Sequence, residues 1–372
     1  MKSNIVIGAG ILGASAAYHL AKAGAKVTVI DRKDPGQATD AAAGIICPWL
    51  TQRRNKAWYA LAKGGAAYYQ TLIRELEKDG ETETGFQKVG AISLHTDPIK
   101  LEKMEERAVK RHDDAPEMGE ITALSPEQTY ELFPPLAKEY ASVHVSGAAR
   151  VNGRELRDAL LQAAQKHGAE LVHGSAELVC QGDEVTAVKA CGKQYDAESV
   201  IAAAGAWAGE LFKPLGIHLD VKPQKAQIIH LQLDGGDTGN WPVVMPPNNQ
   251  YILAFEGGRI VVGATHEDDM GYDLRVTAGG LNEIFEKALA IAPGLADGTF
   301  AEARVGFRPY TPGFLPVIGQ VPGLKGLYIS NGLGASGLTA GPFLGAQLAK
   351  LALGQEVDID LSLYDPAGAI EK

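Results

Sequence analysis

Asn4-Ile5-Val6-Ile7-Gly8-Ala9-Gly10-Ile11-Leu12-Gly13, followed by an apolar run that Asp31 closes, sets a strand, a tight turn and a helix in immediate succession. Gly8 permits the turn, Gly10 lets a pyrophosphate approach the backbone, and Gly13 lets the helix pack on the strand. The helix N-terminus offers free N–H groups and the positive end of its dipole to phosphates. Asp31 ends the second strand (Lys26 to Ile30) eighteen residues past Gly13. That is close to the roughly 20-residue spacing of a carboxylate that bonds ribose hydroxyls. Ala14 to Ala23 is helix-forming and stops at Gly24. The glycine pattern alone says little; the order strand, turn, helix, strand, acid makes it a dinucleotide-binding unit.

The 372 residues suffice for two domains, or one large domain with an insertion. A hydrophobic share of 45% supplies a sizeable core. The net charge is −10, from 35 basic and 45 acidic residues. A nucleic-acid surface needs a basic stripe, and none is present. Arg53-Arg54 and the stretch Lys100 to Arg111 are interleaved with apolar or acidic residues, the second reading as a solvated helix face. Cys47, Cys180 and Cys191 have no metal-ligand spacing, and so sparse a set fits free thiols in a reducing compartment. The N-terminus lacks a cleavage site, and no apolar run reaches the roughly 18 residues that span a bilayer. The expectation is a cytoplasmic protein with no metal, no nucleic-acid partner and no integral membrane segment; homo-oligomerisation is left open.

Gln37-Ala38-Thr39-Asp40-Ala41-Ala42-Ala43-Gly44-Ile45 is rich in small residues, which let backbone press against a flat ligand. It reads either as a second cradle or as a helix start capped by Thr39 or Asp40. Helices are expected over Trp58 to Lys78, Pro98 to Arg111, from Ser125 onward, Gly153 to Gly168, Gly280 to Ile291 and Pro342 to Leu353. Ser199 to Ala203 runs into Ala204-Gly205-Ala206-Trp207, a strand re-entering the nucleotide-binding sheet. Short β-like runs punctuated by turns fill Leu215 to about Arg304, which reads as a mostly antiparallel sheet. The strand Gly326 to Asn331 leads into Gly332-Leu333-Gly334-Ala335-Ser336-Gly337-Leu338-Thr339, a glycine loop placed to meet a ligand. With no linker between them, the two domains must interleave.

Five stretches in order resemble the FAD-dependent D-amino-acid oxidase superfamily, and within it glycine oxidases and small D-amino-acid dehydrogenases. They are Gly8 to Gly13, Thr39 to Gly44, Ala203 to Trp207, Gly263-Ala264-Thr265, and Gly306-Phe307-Arg308-Pro309 leading to Pro316-Val317-Ile318-Gly319. The resemblance implies an α/β fold: a Rossmann-type FAD-binding domain (1–80, 141–214 and 305–372) interleaved with a mostly antiparallel substrate domain flanked by helices (81–140 and 215–304). It implies oxidative deamination of a small amino acid (glycine, sarcosine, a D-amino acid or D-proline). A hydride passes from Cα to flavin N5, and the imine is hydrolysed to a 2-oxo acid.

In the family the arginine of the last motif holds the substrate carboxylate, here Arg308, whose fork geometry lysine does not reproduce. Tyr251 matches a family tyrosine that points at the substrate; packing in its strand is the other reading. His266 is either a modulator of pH dependence or a structural histidine, and Asn249 is a weaker candidate at the pocket mouth. By position, Ile11 and Leu12 present N–H groups to the pyrophosphate, and Asp31 and Arg32 bracket the ribose. Ala38, Thr39, Ala43, Gly44 and Ile45 run along pyrophosphate and flavin, Glu177 marks the strand that meets the adenine, and Gly205 belongs to the re-entering turn. Leu333, Gly334, Ala335, Ser336, Gly337, Leu338 and Thr339 face the flavin pyrimidine end, where a helix dipole meets developing charge.

Two departures matter. Some glycine oxidases carry an arginine where this chain has Ala335, and sarcosine oxidases carry a flavin-linking cysteine that Tyr310 to Gly319 lacks. Non-covalent FAD is therefore expected. The electron acceptor is open among oxygen, a quinone and a carrier protein. A 2-hydroxy-acid or other amine dehydrogenase on the same fold, or a nucleotide-binding regulator without turnover, are the alternatives.

Overall fold

The computed structural model describes residues 3–371. Its first strand, Ser3–Ile7, is central and buried along nearly its whole length. It pairs in parallel with Lys26–Asp31 on one side and with Ser199–Ala202 on the other, so that Val6 lies between Val29 and Ile201. The six-stranded sheet runs in the order Val317–Gln320, Leu327–Asn331, Ser199–Ala202, Ser3–Ile7, Lys26–Asp31, Glu170–His173. Only the edge pair Val317–Gln320 and Leu327–Asn331 is antiparallel. Its central strands, rich in β-branched residues, are buried on both faces, as a parallel sheet covered by helices requires. The re-entry expected at Ala203 is present.

The helix Ile11–Lys22 follows the turn directly, with Gly10 as its N-cap. It packs against the long C-terminal helix Gly337–Leu353, where a Cβ at Gly345 would lie 2.5 Å from the Leu12 carbonyl oxygen. The Ser15 hydroxyl donates to the Pro342 carbonyl across this contact at 2.6 Å.

The C-terminal helix begins at Gly337, five residues before the expected start, and carries Pro342 inside it. A proline has no N–H to return to the carbonyl four residues back, here Leu338. The Tyr69 hydroxyl donates to that carbonyl at 2.6 Å instead. The orphaned acceptor is thus satisfied by a residue of the helix Lys56–Lys78.

The second sheet has eight strands in the order Thr299–Tyr310, Lys222–Gln232, Arg259–Gly263, Tyr251–Ala254, Val243–Met245, Ala91–His95, Ala141–Val145, Ile121–Leu124. All pairs are antiparallel except Val243–Met245 with Ala91–His95. The strand Ala141–Val145, expected among the nucleotide-binding segments, pairs here on both edges, with Ala91–His95 and with Ile121–Leu124. Thr299–Tyr310 likewise runs beyond residue 304 to lie along Lys222–Gln232. Both strands take their backbone partners from this sheet. We propose that the two sheets frame the two interleaved domains.

One buried apolar cluster joins the layers, from Leu20 and Leu72 on the helices to Leu253 and Val261 in the second sheet. Truncating a fully buried leucine such as Leu72 to alanine costs about 2–5 kcal/mol.

Candidate active site

A cavity of about 500 Å³ opens where the sheets meet. Its wall is drawn from many separate stretches of chain. Gly8, Gly10, Ile11 and Leu12 come from the first turn and helix, and Asp31 and Arg32 from the end of the second strand. Ala38, Thr39, Ala43, Gly44 and Ile45 follow, and Glu177 and Gly205 come from mid-chain. Leu333, Gly334, Ala335, Gly337 and Leu338 close it, and Tyr251 and Arg308 stand on the same wall.

The three glycines of the first turn serve different surfaces. A Cβ at Gly8 would lie 2.4 Å from the Ala203 carbonyl oxygen, and one at Gly13 only 1.9 Å from that of Gly8. These two are required by the protein's own backbone, and Gly13 does not line the cavity. At Gly10 a Cβ would meet nothing closer than the Thr39 hydroxyl at 3.4 Å. Gly10 therefore keeps open space for something else, as a phosphate cradle must. The first turns of two helices, at Ile11 and at Gly337, border the same space. Their dipoles favour an anion there.

The segment Ala38–Ala41 is a single helical turn with Gln37 at its N-cap and no side-chain cap. Neither Thr39 nor Asp40 caps it. The Thr39 hydroxyl instead accepts the Ile11 N–H at 3.0 Å, so this N–H, expected to be free, is already engaged. The Asp31 carboxylate accepts the N–H groups of Ala9 and Lys33, both at 2.6 Å, and the Gln37 side-chain amide at 3.2 Å. Arg32 pairs with Asp34 at 2.8 Å and Glu210 at 2.9 Å. Ser336 and Thr339 turn away from the cavity. Ser336 accepts the Trp58 indole N–H at 2.9 Å, and Thr339 donates to the Ile45 carbonyl at 2.9 Å. They hold the glycine loop against its neighbours.

Arg308 lies on Thr299–Tyr310 opposite Gln224. Its Nη1 donates to Gln224 Oε1 and to the Thr265 carbonyl, each at 3.3 Å. Both contacts are long and both acceptors neutral. Among the described residues no carboxylate stands within ion-pair distance of Arg308. The Tyr251 phenol stands near enough to this guanidinium for its positive charge to act on it. Tyr251 faces Gly263 across the antiparallel pair, and a Cβ at Gly263 would crowd its hydroxyl to 3.0 Å. The missing side chain thus makes room for the phenol. Gly306 works similarly, since a Cβ there would lie 2.7 Å from that of Ala41. The next residue, Phe307, donates its N–H to the Gly36 carbonyl at 2.9 Å. The arginine motif is in this way stitched to the small-residue loop.

Burial raises the Tyr251 pKa, with Arg308 opposing, so the phenol keeps its proton and can donate. Burial and then Arg308 lower the His266 pKa, leaving a neutral imidazole at neutral pH. Asn249 accepts from Lys287 at 3.1 Å; neither His266 nor Asn249 lines the cavity. Gln224 is a site residue without a sequence signal of its own, and Thr265 and Trp207, though they close two of the quoted stretches, carried no expected contact. Gln224 and Thr265 meet Arg308 only through strand register. Trp207 stacks on Tyr272 at 5.4 Å, and no spacing in the chain announces that pair.

Fold and cavity together are those of a dinucleotide-binding protein, with Arg308 on the wall of the cavity. The chain belongs to the family described as FAD dependent oxidoreductase, whose sequence profile matches residues 4–351. It is 66% identical over 371 residues to the uncharacterized oxidoreductase YurR of Bacillus subtilis (strain 168), covering 100% of both chains. It is 30% identical to the glycine oxidase of Pseudomonas aeruginosa (strain PAO1), over 98% of this chain and 99% of that one. Its structure is similar to the crystal structure of iminodiacetate oxidase from Chelativorans sp. BNC1, with a TM-score of 0.95, 47% identity and 98% of each chain covered. The protein is thus an FAD-dependent oxidoreductase of the glycine oxidase type. No helix among the described residues is long and apolar enough to cross a membrane.

Proposed function

We propose that the protein oxidises the C–N bond of a small amino acid or N-carboxymethyl amine, giving an imine that water hydrolyses to a 2-oxo acid. The observation that carries this is Arg308: a guanidinium on the cavity wall, held by two long bonds to neutral acceptors and beside a protonated phenol. Such a group suits a carboxylate in a bidentate fork. Glycine and iminodiacetate, the substrates in the names of two relatives, share the unit N–CH2–COO−.

The residues fit FAD. Gly10 leaves the phosphate space open, Thr39 and the two helix N-termini border it, and Asp31 and Glu177 belong to its wall. When bound, FAD supplies the oxidising ring that accepts the hydride. Arg308 fixes the donor's carboxylate, and with it the face that the α-carbon presents. Tyr251 donates a hydrogen bond and stays neutral while doing so. Leu333, Leu338 and Ile45 contribute apolar walls that exclude water. None of Cys47, Cys180 and Cys191 lines the cavity, which favours non-covalent binding. The acceptor of the electrons we leave as oxygen, a quinone or a carrier protein.

Anaerobic mixing of the holoprotein with glycine, sarcosine, D-amino acids, prolines and iminodiacetate tests the reading. Bleaching of the flavin by one of these supports it, and admitting air reports on oxygen. Bleaching by 2-hydroxy acids alone would overturn it.

A further inference from the structure

We propose that Gln224 is a positioning residue for the donor clamp. Its amide stands between Arg308 and the acid Asp268, and so holds the guanidinium in place while leaving it unpaired for the donor's carboxylate. The proposal rests on the reading of Arg308 as that clamp. Gln224 lies directly opposite Arg308 in the antiparallel register and is only 7% exposed. Its Oε1 accepts from Arg308 Nη1 at 3.3 Å, and its Nε2 donates to Asp268 Oδ1 at 2.7 Å. A carboxamide can face a cation with one end and an anion with the other while remaining neutral itself. Turned over, it would set N–H against guanidinium N–H and oxygen against carboxylate oxygen. Its two partners therefore fix its orientation together.

The other acids of the neighbouring segment are drawn elsewhere. The Thr265 carbonyl is the second acceptor of Arg308 Nη1, and Glu267, Asp268 and Asp273 follow it closely in the chain. Glu267 and Asp273 pair with the fully buried Lys225, at 3.7 and 3.0 Å. Glu267 also accepts from Gln227 at 2.7 Å and from the Thr265 hydroxyl at 2.6 Å. Lys225 is the next residue on the strand after Gln224, so its side chain leaves the sheet on the other face. Asp268 is exposed, and among the described residues no cation stands within ion-pair distance of it. Its charge is left to solvent. At His266 the fields of Arg308 and Asp268 act in opposite senses, so the acid is close enough to matter at the clamp. A carboxylate set directly on Arg308 would form a charge-assisted pair that an arriving donor has to break. The amide oxygen of Gln224 steadies Nη1 without that competition, and the remaining N–H groups of the fork are left for the donor.

Methoxyacetate, a carboxylate without an oxidisable C–N bond, is the probe. It is titrated into the holoprotein and followed by the perturbation of flavin absorbance. Gln224→Met keeps the length of the side chain and removes the acceptor, and affinity should fall about two- to tenfold, as for the loss of a neutral hydrogen bond. Gln224→Glu keeps the shape and adds the charge, and affinity should fall further, roughly ten- to hundredfold below wild type. FAD affinity, read by titrating apoprotein, should be the same in all three proteins. A merely structural glutamine would move the two variants alike, because they are matched in size. Probe binding in Gln224→Glu no weaker than in Gln224→Met, or binding in Gln224→Met as tight as in wild type, overturns this proposal alone. So does a loss of FAD affinity that parallels the loss of the probe. Absence of methoxyacetate binding to wild-type protein, or unchanged affinity in Arg308→Lys, overturns the clamp, and this proposal falls with it.

Discussion

Ile11 and Thr39 are joined by one buried hydrogen bond of 3.0 Å, the amide of the first donating to the hydroxyl of the second. It ties the start of the first helix to the small-residue loop and so sets the width of the space above Gly10. Thr39→Val keeps the shape and removes the acceptor. An unsatisfied buried N–H costs about 1–3 kcal/mol. The expected result is FAD affinity about tenfold lower in protein that is otherwise folded, read by titrating apoprotein with FAD and following flavin fluorescence.

The glycines of the same turn should separate folding from cofactor binding. Gly10→Val places its side chain in open space, and the variant should fold but emerge colourless. Gly13→Val drives a Cβ into the Gly8 carbonyl and should not yield folded protein. Circular dichroism and visible absorbance on the two variants decide it. A yellow Gly10→Val would contradict the placement of the cofactor.

Arg308→Lys retains charge but loses the fork. Donor binding should weaken more than tenfold while FAD stays bound, as measured by anaerobic reduction at graded donor concentrations. Unchanged affinity would remove Arg308 from carboxylate recognition.

Acid stability should follow His230. The ring is buried, and burial together with Arg304 pushes its pKa down to about 4, with Glu302 opposing. In the unfolded chain its pKa is near 6.5. The folded protein binds this proton less readily than the unfolded chain does. The stability is therefore complete above pH 6.5 and is lost progressively as pH falls toward 4. His19, lowered to about 4 by burial, acts in the same sense. Thermal melts from pH 7 to 4 should show Tm falling in wild-type protein and falling less steeply in His230→Phe.

What the chain disclosed on its own was local. The strand, turn and helix from Asn4 onward needed only neighbours in sequence, and so did the Gly306 to Pro309 motif. The features that sequence did not disclose all depend on distant partners. Pro342 reads as a helix start until Tyr69 is seen satisfying the carbonyl that it orphans. Ala141–Val145 looks like any strand until its register assigns it to the second sheet. Ser336 and Thr339 sit in a glycine loop that does face the cavity, yet both turn outward, because Trp58 and the Ile45 carbonyl compete for their hydroxyls. Arg53 reads as one charge in an interleaved basic pair. Only the fold brings it onto Trp58 and next to the loop.

The seam between Ile11–Lys22 and Gly337–Leu353 carries a consequence for biosynthesis. The glycine turn is translated more than 300 residues before the wall at Leu333 to Leu338 that lines the same cavity. A nascent chain therefore carries half a pocket over that whole interval, and stable capture of the flavin must await the second half.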